Sequence, residues 1–377
     1  MFKFIKEQKN INKIIIISFL CVFITGCSQP VKEETAQAVV KEDEIQEDKG
    51  VQPVQEKKKE KLSEMYDWNK AKIPMDWYYP NFGEGQVLQN QDYIFYPEED
   101  NKIIRIRKSD GMKEIICEFD YNKNACVHYC LADNGMFVEY ASDIYFCGLD
   151  GKNQHKIISH KKLKKQITAI EDKGWIRGIY TLYFYKDSLY LVSYYYMWKL
   201  DLTTKKITKM SGLTMGGCFR GNSLYYMDFS QRTVYKTNIH TGKNTLVLGN
   251  KEDSSTSYYG LTETDGKLYY VKCKGWSKFI VYMYRKGRKD KKIYEFNLGA
   301  SIAYSIKSES GKIAIEYRDA NREKDSVIIY DIKSSAVSKI KNIKGFCGLA
   351  YIAGDMVFYG RMTEDMEYDR YLSSLAY

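Results

Sequence analysis

The sequence predicts an all-β fold, a β-propeller of about seven four-stranded antiparallel blades, with six or eight as the alternatives. Three observations predict it. Residues that suit a pleated, half-buried surface dominate: Tyr alone occurs 34 times, Ile and Val are frequent, and Pro occurs only 5 times in 377 residues. Two kinds of turn recur in phase down the chain. The period lies in the low to mid forties, the length of a four-stranded blade.

The first turn precedes an aromatic strand. It falls at Asp92 (DYIFY), Gly135 (GMFVEY), Asp187 (DSLYLVSYYY), Asn222 (NSLYYMD), Gly266 (GKLYYVKC), Gly311 (GKIAIEY) and Gly354 (GDMVFYG), with spacings of 43, 52, 35, 44, 45 and 43. The second follows the next strand. It reads Ser109-Asp110-Gly111, Leu149-Asp150-Gly151, Asp201 to Thr204, Asn238 to Gly242, Arg285-Lys286-Gly287 and Asp331 to Ser334. Gly, Asn and Asp serve such turns because the backbone there needs positive φ or a local side-chain bond. Gly216, Gly217 and Gly348 fall where an innermost strand would run, and small residues fit where blades crowd the axis. The last repeat has room for about three strands before Tyr377. Residues near Met75–Tyr79 are expected to supply the strand that closes the ring.

Leu224–Gly242 (LYYMDFSQRTVYKTNIHTG) shows the repeat most fully. Tyr225-Tyr226-Met227-Asp228, then Val234-Tyr235-Lys236 and the Asn/Gly turn, is similar to the YWTD-type propeller repeat. Ile103 to Arg107 with Asp110-Gly111 resembles its second half. The stretch from about 75 to 377 resembles the YWTD-like or TolB-like domain-of-unknown-function propellers of bacterial lipoproteins from low-GC Gram-positive bacteria. Most blades here lack the Asp of the motif. The resemblance implies the propeller fold and not a ligand.

Residues 1–26 read as an export signal. Lys3, Lys6, Lys9 and Lys13 precede the apolar run Ile14–Phe23, which is too short to span a bilayer. Ile24-Thr25-Gly26-Cys27 follows and resembles the lipobox of bacterial lipoproteins. That resemblance implies diacylglycerol on the sulfur of Cys27, cleavage before it, and a lipid-anchored position on the extracytoplasmic face of the cell membrane. Residues 27–61 then form a charged linker with no aromatic residue, which buries too little apolar surface to order itself. As a flexible tether of about 35 residues it spans roughly 30–35 Å. The propeller domain is 62–377.

The signal region carries net +3 and residues 31–60 net −3, so the net +10 of the chain resides in the globular part. A basic surface favours anionic partners, although solvated lysines are the plainer reading. Lys161 to Lys165 and Arg285 to Lys292 are the strongest basic clusters and are read as connections; Lys164, Lys165, Arg285 and Arg288 are their candidate ligand contacts. Among the aromatics, Tyr195, Trp198, Tyr259 and Trp276 are the candidates for stacking on a sugar ring or a peptide side chain.

Catalytic residues are not assigned. Only four His occur, and there is no HExxH, GxSxG, Walker loop or GxGxxG. Cys126, His128 and Cys130 would share one strand face, but residues two apart lie about 6.5–7 Å apart. A fourth ligand is lacking too, so no metal site is assigned. No Asp-x-Asp-x-Asp calcium loop appears. Seven Cys beyond the signal, odd in number and scattered, point to buried free thiols rather than a disulfide framework. The expectation is a monomeric binding or scaffold module, not an enzyme, with no cofactor and no nucleic-acid partner. Its target would be an envelope glycan, an anionic polymer or a partner protein. The alternative is an exported glycan hydrolase or lyase working at an axial face.

Overall fold

The computed structural model describes residues 61–74, 86–99, 101–122, 127–175, 178–274, 278–298, 301–309, 311–318, 325–362, 369 and 371–377. Their strands form seven antiparallel sheets in sequence order. Blade 1 is β1 (Leu88–Gln89), β2 (Tyr93–Glu98), β3 (Lys102–Arg107) and β4 (Lys113–Glu118). Blade 2 is β5 (Val127–Ala132), β6 (Gly135–Tyr140), β7 (Asp143–Gly148) and β8 (His155–Ile158). Blade 3 is β9 (Thr181–Tyr185), β10 (Ser188–Ser193), β11 (Tyr196–Leu200) and β12 (Ile207–Lys209). Blade 4 is β13 (Thr214–Arg220), β14 (Ser223–Asp228), β15 (Thr233–Asn238) and β16 (Asn244–Gly249). Blade 5 is β17 (Thr256–Thr264), β18 (Lys267–Lys274), β19 (Lys278–Met283) and β20 (Lys291–Phe296). Blade 6 is β21 (Ile302–Glu309), β22 (Lys312–Arg318), β23 (Asp325–Asp331) and β24 (Val337–Ile343). Blade 7 is β25 (Phe346–Ala353), β26 (Met356–Arg361) and β27 (Ser373–Ala376).

The buried side chains show that the row of sheets is a ring. Among the described residues there are seven apolar clusters, and each fills the gap between one blade and the next. Six join consecutive blades. The seventh returns from blade 7 to blade 1, packing Tyr351, Met356 and Phe358 against Ile94, Tyr96 and Ile104. A four-stranded sheet has two faces to bury, and radial stacking buries both. The expected seven-bladed propeller is therefore the fold.

The first strand of each blade is innermost. Strands β13, β17, β21 and β25 touch one another in succession across the blade boundaries, as do β5 and β9. In blades 4 to 7 this strand carries a bulge near its start, at Thr214/Gly216, Tyr259/Thr262, Ala303/Ser305 and Phe346/Gly348. Gly216 and Gly348 adopt φ near +145°, at 144° and 147°, which only glycine accepts readily. The expected placement of these glycines on the innermost strand holds.

Closure uses the chain just before blade 1. Leu372 N–H donates to Ile73 O at 2.9 Å, and Pro74 forms an antiparallel bridge with Tyr371. The expected closing segment, Met75–Tyr79, lies outside the described residues. A strap over 62–74 lies along the same seam. Ser63 donates through its N–H (3.0 Å) and its hydroxyl to the Asp355 carboxylate, and Trp68 stands edge-on to Tyr96 and Phe358.

One element departs from the expected pattern. Lys161 to Lys165 is not in a loop but in a helix, His160–Ile170, between blades 2 and 3. Leu163 and Ile167 point into the core. Gln166 donates to Lys205 O and accepts from Ile207 N–H, so the helix covers the outer edge strand β12. This insertion is what stretches one repeat spacing to 52 residues.

Candidate functional site

Up-and-down strands put the hairpins β2–β3, β6–β7, β10–β11 and β14–β15 on one face, together with the connections between blades. Two features meet there. The first is a cavity of about 610 Å3 over blade 2, lined by Asp120, Tyr121, Asn122, Tyr140, Ala141, Asp143 and Tyr145. Tyr121 is 65% exposed. Tyr140 forms a fixed wall: its ring stacks on Phe119 at 4.6 Å and its hydroxyl donates to Asp120 O at 2.6 Å. Asp143 accepts from His160 N–H, Lys156 and the Tyr145 hydroxyl. Burial acts to raise its pKa, but His160 N–H and Lys156 outweigh it and hold the carboxyl below the usual range. Tyrosine faces beside ionised carboxylate and amide groups match a ligand with apolar ring faces and hydroxyl edges.

The second feature is an aromatic platform on blades 3 and 4. Tyr194 and Tyr195 occupy the two-residue turn between β10 and β11, with φ of 42° and 65°. Positive φ at both positions is the requirement of a type I′ turn, which Asn and Gly meet without strain. Bulky residues there cost about 1–3 kcal/mol each, and such strain concentrates at ligand-contact sites. Tyr195 stands edge-on to Phe229 at 5.6 Å, and Phe229 is 52% exposed. Leu213, itself exposed, accepts the Phe229 N–H at 3.0 Å, and Thr214 N–H donates to Tyr195 O at 2.9 Å. These bonds hold the turn and the Phe229 loop side by side. Blade 2 has the matching turn in Ala141-Ser142, with φ of 51° and 66°.

The structure sorts the sequence candidates. Tyr195 is part of the platform. Trp198 is not a contact: it is 0% exposed, under the helix and the turn that follows, where a Cβ on Gly174 would stand 2.8 Å from its ring. The correction follows from the helix, which the sequence reading took for a loop. Tyr259 is half-buried and packs against Phe279 between blades 5 and 6, so it fills space rather than presenting a face. Lys164 and Lys165 are exposed on the helix, and Arg285 and Arg288 are exposed in the β19–β20 turn, which joins third and fourth strands and so opens on the face opposite the platform. Trp276 and Cys27 lie outside the described residues, as does Cys126.

His128 does not face a thiol ligand set. Its Nδ1 lies 2.7 Å from Glu139 Oε2, both side chains being buried, and Cys130 belongs to the apolar cluster between blades 2 and 3. Among the described residues no group of side chains is arranged to hold a metal ion. Cys117, Cys130, Cys147, Cys218 and Cys273 are buried thiols outside any disulfide, as expected.

Tyr121, Tyr140, Asp143 and Phe229 were not singled out from sequence. A signal existed for Phe229, which directly follows the strand Ser223–Asp228 and so had to sit at a hairpin tip. None existed for the cavity, whose walls come from two separate segments, 120–122 and 140–145.

No family model matches the chain, and no curated protein matches it. Solved structures match it as a fold. One is a prolyl endopeptidase, at TM-score 0.50 and 10% identity over 78% of this chain, a match spanning only 50% of that protein. Another is an oligogalacturonate lyase of Vibrio parahaemolyticus, at TM-score 0.50 and 11% identity, covering 79% of this chain and 93% of that one. The chain is a seven-bladed β-propeller, and at this identity the likeness shows the fold alone. It also corrects the expectation that the chain is not an enzyme. Both structures are enzymes carrying this propeller, so missing sequence motifs are no argument against catalysis.

Proposed function

We propose that this protein is a lipid-anchored, extracytoplasmic propeller that binds an envelope glycan on the face formed by the blade 2 cavity and the Tyr195–Phe229 platform. The observation that carries the reading is the pairing of a tyrosine-lined cavity containing Asp and Asn with the exposed Phe229 and the half-buried Tyr195, held by a strained turn on the same face. Rings stack on the apolar faces of sugars, while the carboxylates accept their hydroxyls. Cys27 anchors the chain and the segment to residue 61 gives the domain reach.

Titration of the full chain in detergent against peptidoglycan fragments tests the reading. Micromolar binding is expected, weakened about five- to thirtyfold by Tyr121→Ala, which removes one stacking ring worth roughly 1–2 kcal/mol. Tight binding that Tyr121→Ala and Phe229→Ala both leave unchanged would move the site elsewhere. Metabolic labelling with a fatty acid tests the anchor, and label that survives Cys27→Ala would remove it.

A further inference from the structure

The strap at the seam runs from one face of the propeller to the other. At one end Lys72 O accepts the Glu99 N–H at 2.8 Å, in the β2–β3 turn on the face that carries the cavity and the platform. At the other end Ser63 is bonded to Asp355, in the β25–β26 turn. Turns between first and second strands, and between third and fourth, open on the opposite face. The strap lies close over that turn: a Cβ on Gly354 would stand 2.8 Å from Leu62 Cβ. The chain that precedes Lys61 therefore joins the propeller on the face opposite the platform.

That face is unevenly charged. The β19–β20 turn of blade 5 carries Arg285, Lys286, Arg288 and Lys289, all exposed. Its one acid, Asp290, is engaged inside the turn, accepting the Tyr270 hydroxyl at 2.6 Å and the Arg285 N–H at 2.8 Å. Lys278 and Lys292 share Glu295 on the strands of this blade, but none of the four turn cations has an ion pair among the described residues. The outer turns of blades 4 and 6 add Lys243 and Lys333, both exposed, and at the inner turn of blade 5 Asp265 is matched by Lys267. On blade 3 the same face mixes signs, with Lys186 beside Asp187 and Lys205 in the turn of Asp201.

We propose that this face is the membrane side of the protein, and that the 285–289 turn rests on anionic phospholipid headgroups. Exposed cations with no acid to pair with match a surface of closely spaced phosphates. A soluble anionic polymer has no reason to prefer the face where the tether joins. A bilayer has one, because a tether reaching roughly 30–35 Å brings that face down without passing round the domain. Docked so, blades 4 to 6 meet the lipid, and the cavity and the platform point away from it. The orientation rests on the reading of Cys27 as the anchor and not on the glycan reading.

Lysine footprinting on vesicles tests the docking apart from the anchor. The full chain, purified in detergent, is reconstituted on neutral phosphatidylcholine vesicles and on vesicles with about a third phosphatidylglycerol. Flotation on the neutral vesicles reads the anchor alone. A brief pulse of an acetylating reagent, quantified by peptide mass spectrometry, reads the docking. Each cation near an anionic surface strengthens the contact roughly fivefold, so acetylation of Lys286 and Lys289 should slow at least about threefold on the anionic vesicles. Lys164 and Lys165, on the helix beside blade 3, should keep their rates. Salt at about 1 M, which shortens the screening length to about 3 Å, should restore the rates of Lys286 and Lys289. Arg285→Glu combined with Arg288→Glu should do the same, and both side chains are exposed, so the fold does not rest on them. Equal rates for Lys286 and Lys289 on the two kinds of vesicle overturn the proposal, as does equal slowing of all four lysines. Protection by soluble polyglutamate that anionic vesicles do not give also overturns it, and assigns the turn to an anionic polymer. Protection on anionic vesicles by a chain that does not float on neutral ones upholds the headgroup contact and removes the anchor.

Discussion

Two junctions in the ring are reinforced by chain that belongs to no blade, and they are reinforced for different reasons. Between blades 2 and 3 the helix His160–Ile170 covers the outer edge of β12 and buries Trp198. The chain runs straight through this junction, so the helix adds packing to something already connected. Between blades 7 and 1 the chain does not run through. There the strap over 62–74 spans the seam, joined to blade 7 through Asp355 and the Ile73–Leu372 bond, and to blade 1 through Trp68 against Tyr96. A ring made of one chain always has one junction held only by non-covalent contacts, and this protein places a tryptophan and a carboxylate cap there.

The comparison is broken most forcefully by removing the two tryptophans in turn. Trp68→Ala and Trp198→Ala each delete a buried side chain and should each cost about 3–5 kcal/mol in denaturant unfolding. Their consequences should differ in kind. Loss of Trp68 should open the seam first, with amide exchange rising in 371–376 and the β26–β27 pairing lost before the rest. Loss of Trp198 should lower stability without singling out the terminal strands. Identical exchange patterns in the two variants would show that the seam is not a special junction.

The same contrast explains what the sequence could and could not reveal. The blades were legible because each hairpin repeats local requirements: Asp110-Gly111, Asn238 to Gly242 and Asp331 to Ser334 are turns whose side chains bond their own backbone. The alternation of Leu224, Tyr226 with Tyr225, Met227 reports two buried faces directly. The helix was less legible. Its buried pair is only Leu163 and Ile167, and the four lysines around them, Lys161, Lys162, Lys164 and Lys165, read as a solvated loop. That error passed to Trp198, because a side chain is judged exposed or buried by what covers it, and its cover was a helix some 30 residues upstream. Tyr195 was legible only as one of several aromatics able to reach a surface, and the structure leaves it half-buried at a hairpin turn. The cavity was not, since it is assembled from two separate stretches of chain and no local pattern encodes their meeting.

A third junction, between blades 6 and 7, sharpens the contrast through its polarity. Glu316 is buried and carries a pKa of about 6, raised by burial from the ordinary carboxylate value. The folded state thus holds this proton more tightly than the unfolded chain does. Its effect on stability is absent below about pH 4, where both states are protonated, grows unfavourable as pH rises to about 6, and stays constant above. A shift of this size corresponds to roughly 2 kcal/mol. Glu316→Gln keeps an oxygen for the Leu349 N–H and should stabilise the protein by about 1–2 kcal/mol at pH 7.5, with little gain at pH 4. A variant that is destabilised at both pH values would mean that the amide serves the Leu349 N–H and the surrounding packing less well than the carboxyl, since no charge is lost at pH 4.

The smallest expected effect separates the two faces of blade 3. The turn at Lys186-Asp187, like that at Tyr194-Tyr195, has positive φ at both positions, 46° and 57° against 42° and 65°. Asp tolerates this region through local side-chain bonding, whereas tyrosine has no such compensation. Tyr195→Gly relieves the left-handed backbone but gives up the contact with Phe229 and adds freedom to the unfolded chain. The balance should leave stability unchanged or raise it by up to about 1 kcal/mol, while Asp187→Gly should change it less. Glycan binding should fall with Tyr195→Gly and stay level with Asp187→Gly. A strained tyrosine whose removal costs the fold nothing and the ligand a great deal is held for binding; one whose removal lowers stability by more than about 1 kcal/mol is held for packing on Phe229, and the platform would then be part of the fold rather than a site.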